Sequence, residues 1–327
     1  MNNLSLVNRF ALISLNGIRV SQNSFISRMR NRCFIAAKLL DFIFDGIMVE
    51  ANNNYHFADV SGCRCSGTDR VIYDMLKNKI SKDCTIAGWM KVINTFPQKK
   101  CNQIAELIID GLINNCLLDN IPSLLECDLN YQTSEVKIRQ YRSSYGLYHS
   151  EIDYIKAELL DNGVISDEVI SLIWLLKQNG DLKYIFSLEE LEKVQEVLNN
   201  IYRENSFGHN LLRASIGYET TRGWKTFLKI KKNFSKTQLG SGIVFKIPAL
   251  QKDESIFIET NKMFSNAQER LADVKNRLET NGHICEVKSE GEVPLVEIDN
   301  ILYELIPDAV RVSLLNVHGV RLRRFLV

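Results

Sequence analysis

Apolar positions along this chain recur first with a helical period and, late in the sequence, with the alternation of strands. Residues 4–15 (LSLVNRFALISL) predict a short helix closed by Asn16-Gly17, a strong stop signal. A long apolar helix is expected over 28–45, where Lys38, Asp41 and Asp45 are the charges after its basic start. Ile47-Met48-Val49 and Tyr55-His56-Phe57 flank Asn52-Asn53-Asn54. That pattern predicts a small β-hairpin, since Asn tolerates the positive φ of a tight turn. Helical spacing then recurs over about 69–80, 85–94, 101–118, 133–139, 149–161, 166–179 and 188–203, with short turns between.

The pattern changes after Thr220. From Thr220 to Lys252 there are eight Lys or Arg and no Asp or Glu. Beyond Gly240-Ser241-Gly242, which reads as a linker, the segments IVFKIPAL, SIFIET, HICEVK, VPLVEID and ILYELI predict strands. The chain closes on a hairpin, VRVSLL and VRLRRFLV, turning at Asn316-Val317-His318-Gly319. One helix interrupts the strands at 266–280, capped by Ser265 with Gln268 three residues on and stopped by Asn281-Gly282. The fold class expected is mainly α: a compact multi-helix domain with a small β-hairpin (1–215), a basic linker or amphipathic segment (216–241) and a small α+β domain (242–327). The helical domain is expected to fold without the strand domain.

Composition narrows the function classes. A formal net charge of +1 over 327 residues provides no global field for nucleic acid or membrane, so any electrostatic case is local. No run of eighteen apolar residues is present, which predicts no bilayer span. The first fifteen residues carry an Arg inside their apolar part and no small-residue cleavage site, so no secretory signal is expected. Eight scattered cysteines, with Cys63-Arg64-Cys65 the one close pair, match neither a zinc knuckle nor a disulfide framework. A reducing, cytoplasmic setting without metal or cofactor is expected. The five histidines stand alone, and the sequence holds no nucleophile elbow, phosphate loop or dinucleotide fingerprint. None of these patterns points to catalysis, which makes an enzyme the lesser expectation.

One stretch is more informative. Ser21–Gly46 opens with Arg28, Arg30 and Arg32 and ends with Ala36, Ala37, Leu39, Asp41 and Gly46, a small-small-x-Leu-x-acid pattern with Gly five residues after the acid. It resembles the first core helix of the Golgi phosphoprotein 3 family. Further pieces follow in the family's order: Leu4-x-Leu6 with Gly17, Ser66-Gly67-Thr68-Asp69 with Asp74 and Leu76, Trp89, Leu112 to Leu118, and 149–186. The resemblance covers about 200 residues and implies a helical, non-catalytic peripheral membrane protein of the adaptor kind. The family binds phosphatidylinositol 4-phosphate through one Trp and three Arg. An ungapped count places the Trp near Ile26 and the Arg at Ile35, Asn102 and Ala105. None of these carries the bidentate cation that grips a phosphate, so the fold is expected without the family's lipid pocket.

Two local features remain as lipid- or anion-binding candidates. Arg28, Arg30 and Arg32 stand at a predicted helix start, where cations oppose the helix dipole unless an anion is present. Lys225, Lys229 and Lys232 form one stripe of a basic segment, 222–236, that reads either as an interfacial helix or as a strand. The partners expected are an anionic membrane lipid and a protein bound through the C-terminal domain, with nucleic acid disfavoured by the balanced charge. The competing expectation is a protein-binding or self-assembling module of the same fold that has lost lipid contact.

Overall fold

The computed structural model describes residues 4–18, 25–58, 67–79, 83–128, 138–161, 163–216, 235–236, 243–244, 255–260, 266–312 and 315–325. The architecture is rich in α-helix, with a five-stranded antiparallel sheet in the C-terminal part. The chain divides into two contact units. The first comprises Met1–Ser14, Gln22–Leu118 and Gly146–Lys225, and the second Leu15–Ser21, Asp119–Tyr145 and Thr226–Val327.

The first unit is built around α2 (Phe25–Phe44), which packs against α4 (Ile86–Asn94), α5 (Gln98–Asn114) and α7 (Asp167–Asn179). Its middle turns are apolar on all sides and wholly buried from Cys33 to Ala37, the mark of a helix enclosed by others. Gly46 ends it at φ +70°, a conformation that a side chain would strain. Before it lies α1 (Leu6–Leu15), whose Phe10 meets Phe34 edge to face at 5.6 Å. After it come the hairpin β1 (Met48–Ala51) and β2 (Asn54–Phe57), turning on Asn52 and Asn53 at positive φ as expected. Helix α3 is Gly67–Lys77, α6 is Tyr145–Leu160, α8 is Leu188–Glu204 and α9 is Ser206–Arg213. Helix α7 starts at Ser166, whose hydroxyl accepts from Val169 N, and stops at Gly180 in the left-handed region. Both Trp89 and Trp174 are core residues, donating to the carbonyls of Tyr55 at 3.0 Å and Ala214 at 3.1 Å.

Asp41 explains the acid in the opening motif. Its carboxylate accepts from the main-chain N–H of Leu6 at 2.7 Å and of Val7 at 3.3 Å, the otherwise unpaired donors at the start of α1. Lys38, one turn earlier, stands 3.8 Å from Asp41 and 2.9 Å from Asp69 on α3. Residues quoted from separate parts of the sequence thus converge on one buried ammonium.

In the second unit, strands β5 (Ser255–Glu259), β6 (Cys285–Ser289), β7 (Leu295–Ile298), β8 (Ile301–Val312) and β9 (Leu315–Arg324) form a sheet in the order β5-β9-β8-β7-β6. Helix α10 (Ala267–Thr280) buries Leu271, Val274 and Leu278 with Ile256, Ile258, Val296, Leu305, Val320 and Leu322 of the sheet. That helix is capped by Asn266, whose side chain accepts from Glu269 N, so the cap expected at Ser265 lies one residue later. The same core takes in Leu124, Leu125 and Cys127 from a single 3₁₀ turn between β3 (Leu118–Pro122) and β4 (Arg139–Ser143). Asp128 then accepts from Phe257 N at 2.8 Å, covering a donor on the outer side of edge strand β5.

Three expectations are revised here. The helix expected over 133–139 lies mostly outside the described residues, and Arg139 begins β4. The terminal turn is not at Asn316–Gly319: Asn316 pairs with Arg311 and Gly319 with Asp308 inside β8–β9, and β9 is internal to the sheet rather than an edge. Gly319 is needed there because a Cβ would meet the Ile258 carbonyl at 2.3 Å. Lastly, residues 119–145, read as part of a helical domain ending at 215, cluster with the sheet. Hydrophobic periodicity reports which face of a segment is buried and is silent on the partner. Of the strand read over IVFKIPAL, Ile243–Val244 pair with Ser235–Lys236 and the rest lies outside the described residues.

Two tests follow from this packing. A chain ending at residue 215 keeps Leu124, Leu125 and Cys127 but loses the sheet that buries them, each worth about 1.5–3 kcal/mol if large and fully buried. That fragment is expected to aggregate on size-exclusion chromatography, whereas the same fragment with 119–145 replaced by a short linker is expected to melt cooperatively by circular dichroism. Asp41 supplies the second test: burial pushes its carboxyl up to about 6, opposed by Lys38 and by the Leu6 and Val7 N–H groups. A carboxyl raised in the folded state binds its proton there first. Its contribution to stability is therefore full below the unfolded value near 3.8 and is lost as pH rises through about 6. Urea denaturation of wild type and Asp41→Asn should show the wild type losing about 3 kcal/mol relative to the variant between pH 4 and pH 7.

Candidate anion-binding surface

The helix expected to open on the arginines begins at Phe25, so Arg28, Arg30 and Arg32 are its fourth, sixth and eighth residues, and their surroundings differ. Arg28 is exposed and Arg32 partly so, while Arg30 is buried. Burial pushes the Cys33 thiol well up, Asp181 just past α7 adds to that, and Arg30 lies close enough to oppose it. Arg30 therefore belongs to the interior of the first unit and leaves the candidate surface set. Lys225, Lys229 and Lys232 lie outside the described residues.

The geometry adds residues that periodicity did not single out. Arg32 donates from Nη1 to Gln98 Oε1 at 3.2 Å, which puts the basic turn of α2 beside the first turn of α5. There Lys99 and Lys100 are exposed. Helix α5 begins after Pro97 with no side-chain cap and no acidic residue in its first turn. Its lysines oppose the positive end of the helix dipole, whereas α2 begins at Phe25, so Arg32 is its eighth residue and stands beyond the turn where that dipole acts. No Asp or Glu occurs between Val7 and Lys38 or between Thr85 and Ala105. Arg28, Arg32, Lys99 and Lys100 thus form a rim of cations drawn from two acid-free stretches.

Below the rim the contacts are neutral amides. Gln98 Nε2 donates to Asn102 Oδ1 at 2.7 Å, and Asn31 Nδ2 donates to the same oxygen at 2.9 Å. Ile35 and Ala105 beside them are buried apolar residues. Of the positions aligned with a phosphate pocket, Ile35 and Ala105 thus serve the core and Asn102 a hydrogen-bond chain; the side chain of Ile26 lies outside the described residues.

A second polar cluster, in the second unit, has a structural character. His283 Nδ1 lies 2.6 Å from Asp299 Oδ2, and both side chains are almost completely buried. Asp299 also accepts from Ile284 N at 3.1 Å and from Arg142 at 3.3 Å, while Asn16 donates to its carbonyl at 3.1 Å. Burial pushes Cys127 up to about 12 and Cys285 up to about 11, with Asp299 adding to both. Such thiols are held protonated and away from solvent, the opposite of a nucleophile's surroundings. A pocket beside α10, lined by Ala267, Arg270, Leu271, Glu292 and Pro294 among others, holds about 10 Å³, room for a single water. Among the described residues, no group of three His, Cys, Asp or Glu is placed to hold a metal ion, and no helix is long and apolar enough to cross a membrane.

Compared with models of known protein families and with curated protein sequences, the chain matches none.

Thiol chemistry checks the placement of the cysteines. At pH 8 iodoacetamide should modify exposed Cys116 at least about a hundredfold faster than Cys127 or Cys285, as read by peptide mass mapping of the folded protein.

Proposed function

We propose that this protein is a non-catalytic binding protein that associates peripherally with anionic phospholipid surfaces through the rim of Arg28, Arg32, Lys99 and Lys100. The observation that carries the reading is the junction of Arg32 with Gln98, which sets the basic, acid-free run of α2 beside the basic, acid-free first turn of α5. Four cations without a neighbouring carboxylate in their sequence stretches repel one another, and Lys99 and Lys100 also oppose the α5 dipole; an anionic surface relieves both terms. The resemblance to the Golgi phosphoprotein 3 family supports a membrane-facing adaptor, with a protein partner on the second unit.

The rim suits charge density rather than one headgroup. With Ile35, Asn102 and Ala105 where the family places arginines, no selective grip on phosphatidylinositol 4-phosphate is expected. Sedimentation with phosphatidylcholine vesicles, with and without phosphatidylserine, tests the reading. Binding should need the anionic lipid and fall as salt is raised. Each change of Arg28, Lys99 or Lys100 to Gln should weaken it about fivefold, the equivalent of about 1 kcal/mol per cation near the surface. Vesicles carrying phosphatidylinositol 4-phosphate at matched surface charge should bind no better. Absence of anionic-vesicle binding would sink the reading and favour a protein-binding or self-assembling module.

A further inference from the structure

We infer that Gln98 and Asn102 are positioning residues that hold the Arg32 guanidinium in place for an anionic lipid surface. This deepens the reading of the α2–α5 rim and rests on it. The chain of contacts runs Arg32 Nη1 to Gln98 Oε1 at 3.2 Å, Gln98 Nε2 to Asn102 Oδ1 at 2.7 Å, and Asn31 Nδ2 to the same Asn102 oxygen at 2.9 Å. Its polarity is fixed from the arginine end. An arginine offers only donors, so the Gln98 atom facing it must be the oxygen. That choice turns the Gln98 amide nitrogen toward Asn102, whose oxygen takes two donors at once. Flipping either amide would set a donor against a donor and break two contacts. Asn31, the far anchor, is buried next to Arg32 in sequence.

The consequence is a cation with few alternatives. Nη1 has a second, longer contact to the Arg28 carbonyl at 3.5 Å, which also ties Arg32 to its own helix. A free arginine on a helix surface samples many rotamers and loses that freedom on binding. Arg32 has lost part of it already, to neutral groups that leave its charge in place. A carboxylate at position 98 would hold the guanidinium as well, and would cancel it. The amides therefore separate orientation from neutralisation, which an ion pair joins.

Gln98→Met in the full-length chain removes the acceptor with little change in size and no change in charge. Ordering one long side chain during binding costs an amount that corresponds to about three- to tenfold in affinity. We therefore expect Gln98→Met to weaken association with phosphatidylserine-containing vesicles about three- to tenfold, while the dependence on salt keeps the wild-type slope because the number of cations is the same. Asn102→Ala, which lets go of Gln98 without touching Arg32, should give the same loss and the same slope. Both variants are compared at matched thermal midpoints, so a loss caused by unfolding is seen as such, and either one folding is enough for the test. If Gln98→Met and Asn102→Ala bind as wild type while Arg28→Gln and Lys99→Gln weaken binding, the positioning role is wrong and the membrane reading stands. A changed salt slope in Gln98→Met also overturns it, since charge and not orientation would then have been altered. If the wild-type chain ignores the anionic vesicles, both fall together.

Discussion

A buried main-chain N–H has to find an acceptor, and in this protein carboxylates from far along the chain repeatedly supply it. Asp41 takes the N–H groups of Leu6 and Val7, Asp128 takes that of Phe257, and Asp299 takes that of Ile284. Leaving such a donor unpaired costs about 1–3 kcal/mol, so each carboxylate fixes where a remote segment lies. Asp299 does most: it sits with Asn300 in the tight turn between β7 and β8, both at positive φ, and gathers His283, Arg142 and Asn16 around itself. Arg142 reaches on to the Gly282 carbonyl and Asp119, and Asn300 to Ser143 O and Asn16 Oδ1. Through its side chain and its own carbonyl, Asp299 thus ties together the three stretches of chain that make up the second unit.

The same rule sorts the charged residues. Two buried cations are held by acids: Arg9 by Glu151 at 2.6 Å, and Lys38 by Asp69 and Asp41. On the sheet, Glu304 is fully buried and takes two nitrogens of Arg323, at 2.6 and 2.9 Å, so an arginine near the terminus serves cross-strand pairing. At the rim Arg32 differs, because it is held by the Gln98 amide and the Arg28 carbonyl. Held cations without a counter-charge are what an anionic surface recognises. Edge strand β6 in the second unit carries Glu286, Lys288 and Glu290 at or beside it, which discourages another strand from pairing there.

Local patterning carried a great deal of this structure. The apolar runs, Asn/Gly stops and Ser caps marked α1, α2, α4, α5 and α7, and the triple Asn marked the β1–β2 turn, within a few residues of where each stands. These signals depend on the chain's near neighbours, so they are written in adjacent residues. Three segments were less legible. Helix α9 is eight residues long, too short for its period to stand out from the end of α8. Strands β3 and β4 went unmarked, each meeting an expected helix at its first residue alone, because five-residue stretches such as LDNIP and RQYRS carry no clear alternation. The continuous run of β8 through Pro307 was hidden by a residue that usually marks an edge or an interruption, and β7 pairs with β8 only as far as Glu304, short of it.

The sequence by itself determined which residues are cationic, which helices they belong to and that no acid lies near them along the chain. It did not decide which of those cations face outward. Arg28, Arg30 and Arg32 are alternate residues of one basic run, yet burial removes Arg30 and contact with Gln98 keeps Arg32 at the rim. Lys99 and Lys100 join them only because α5 packs on α2. Likewise, Leu124, Leu125 and Cys127 are apolar in any reading, and only the tertiary structure gives them to the sheet. Helical period and charge are properties of adjacent residues. A partner across a core is set by the contacts and hydrogen bonds that distant segments satisfy together, and no stretch of sequence holds both halves.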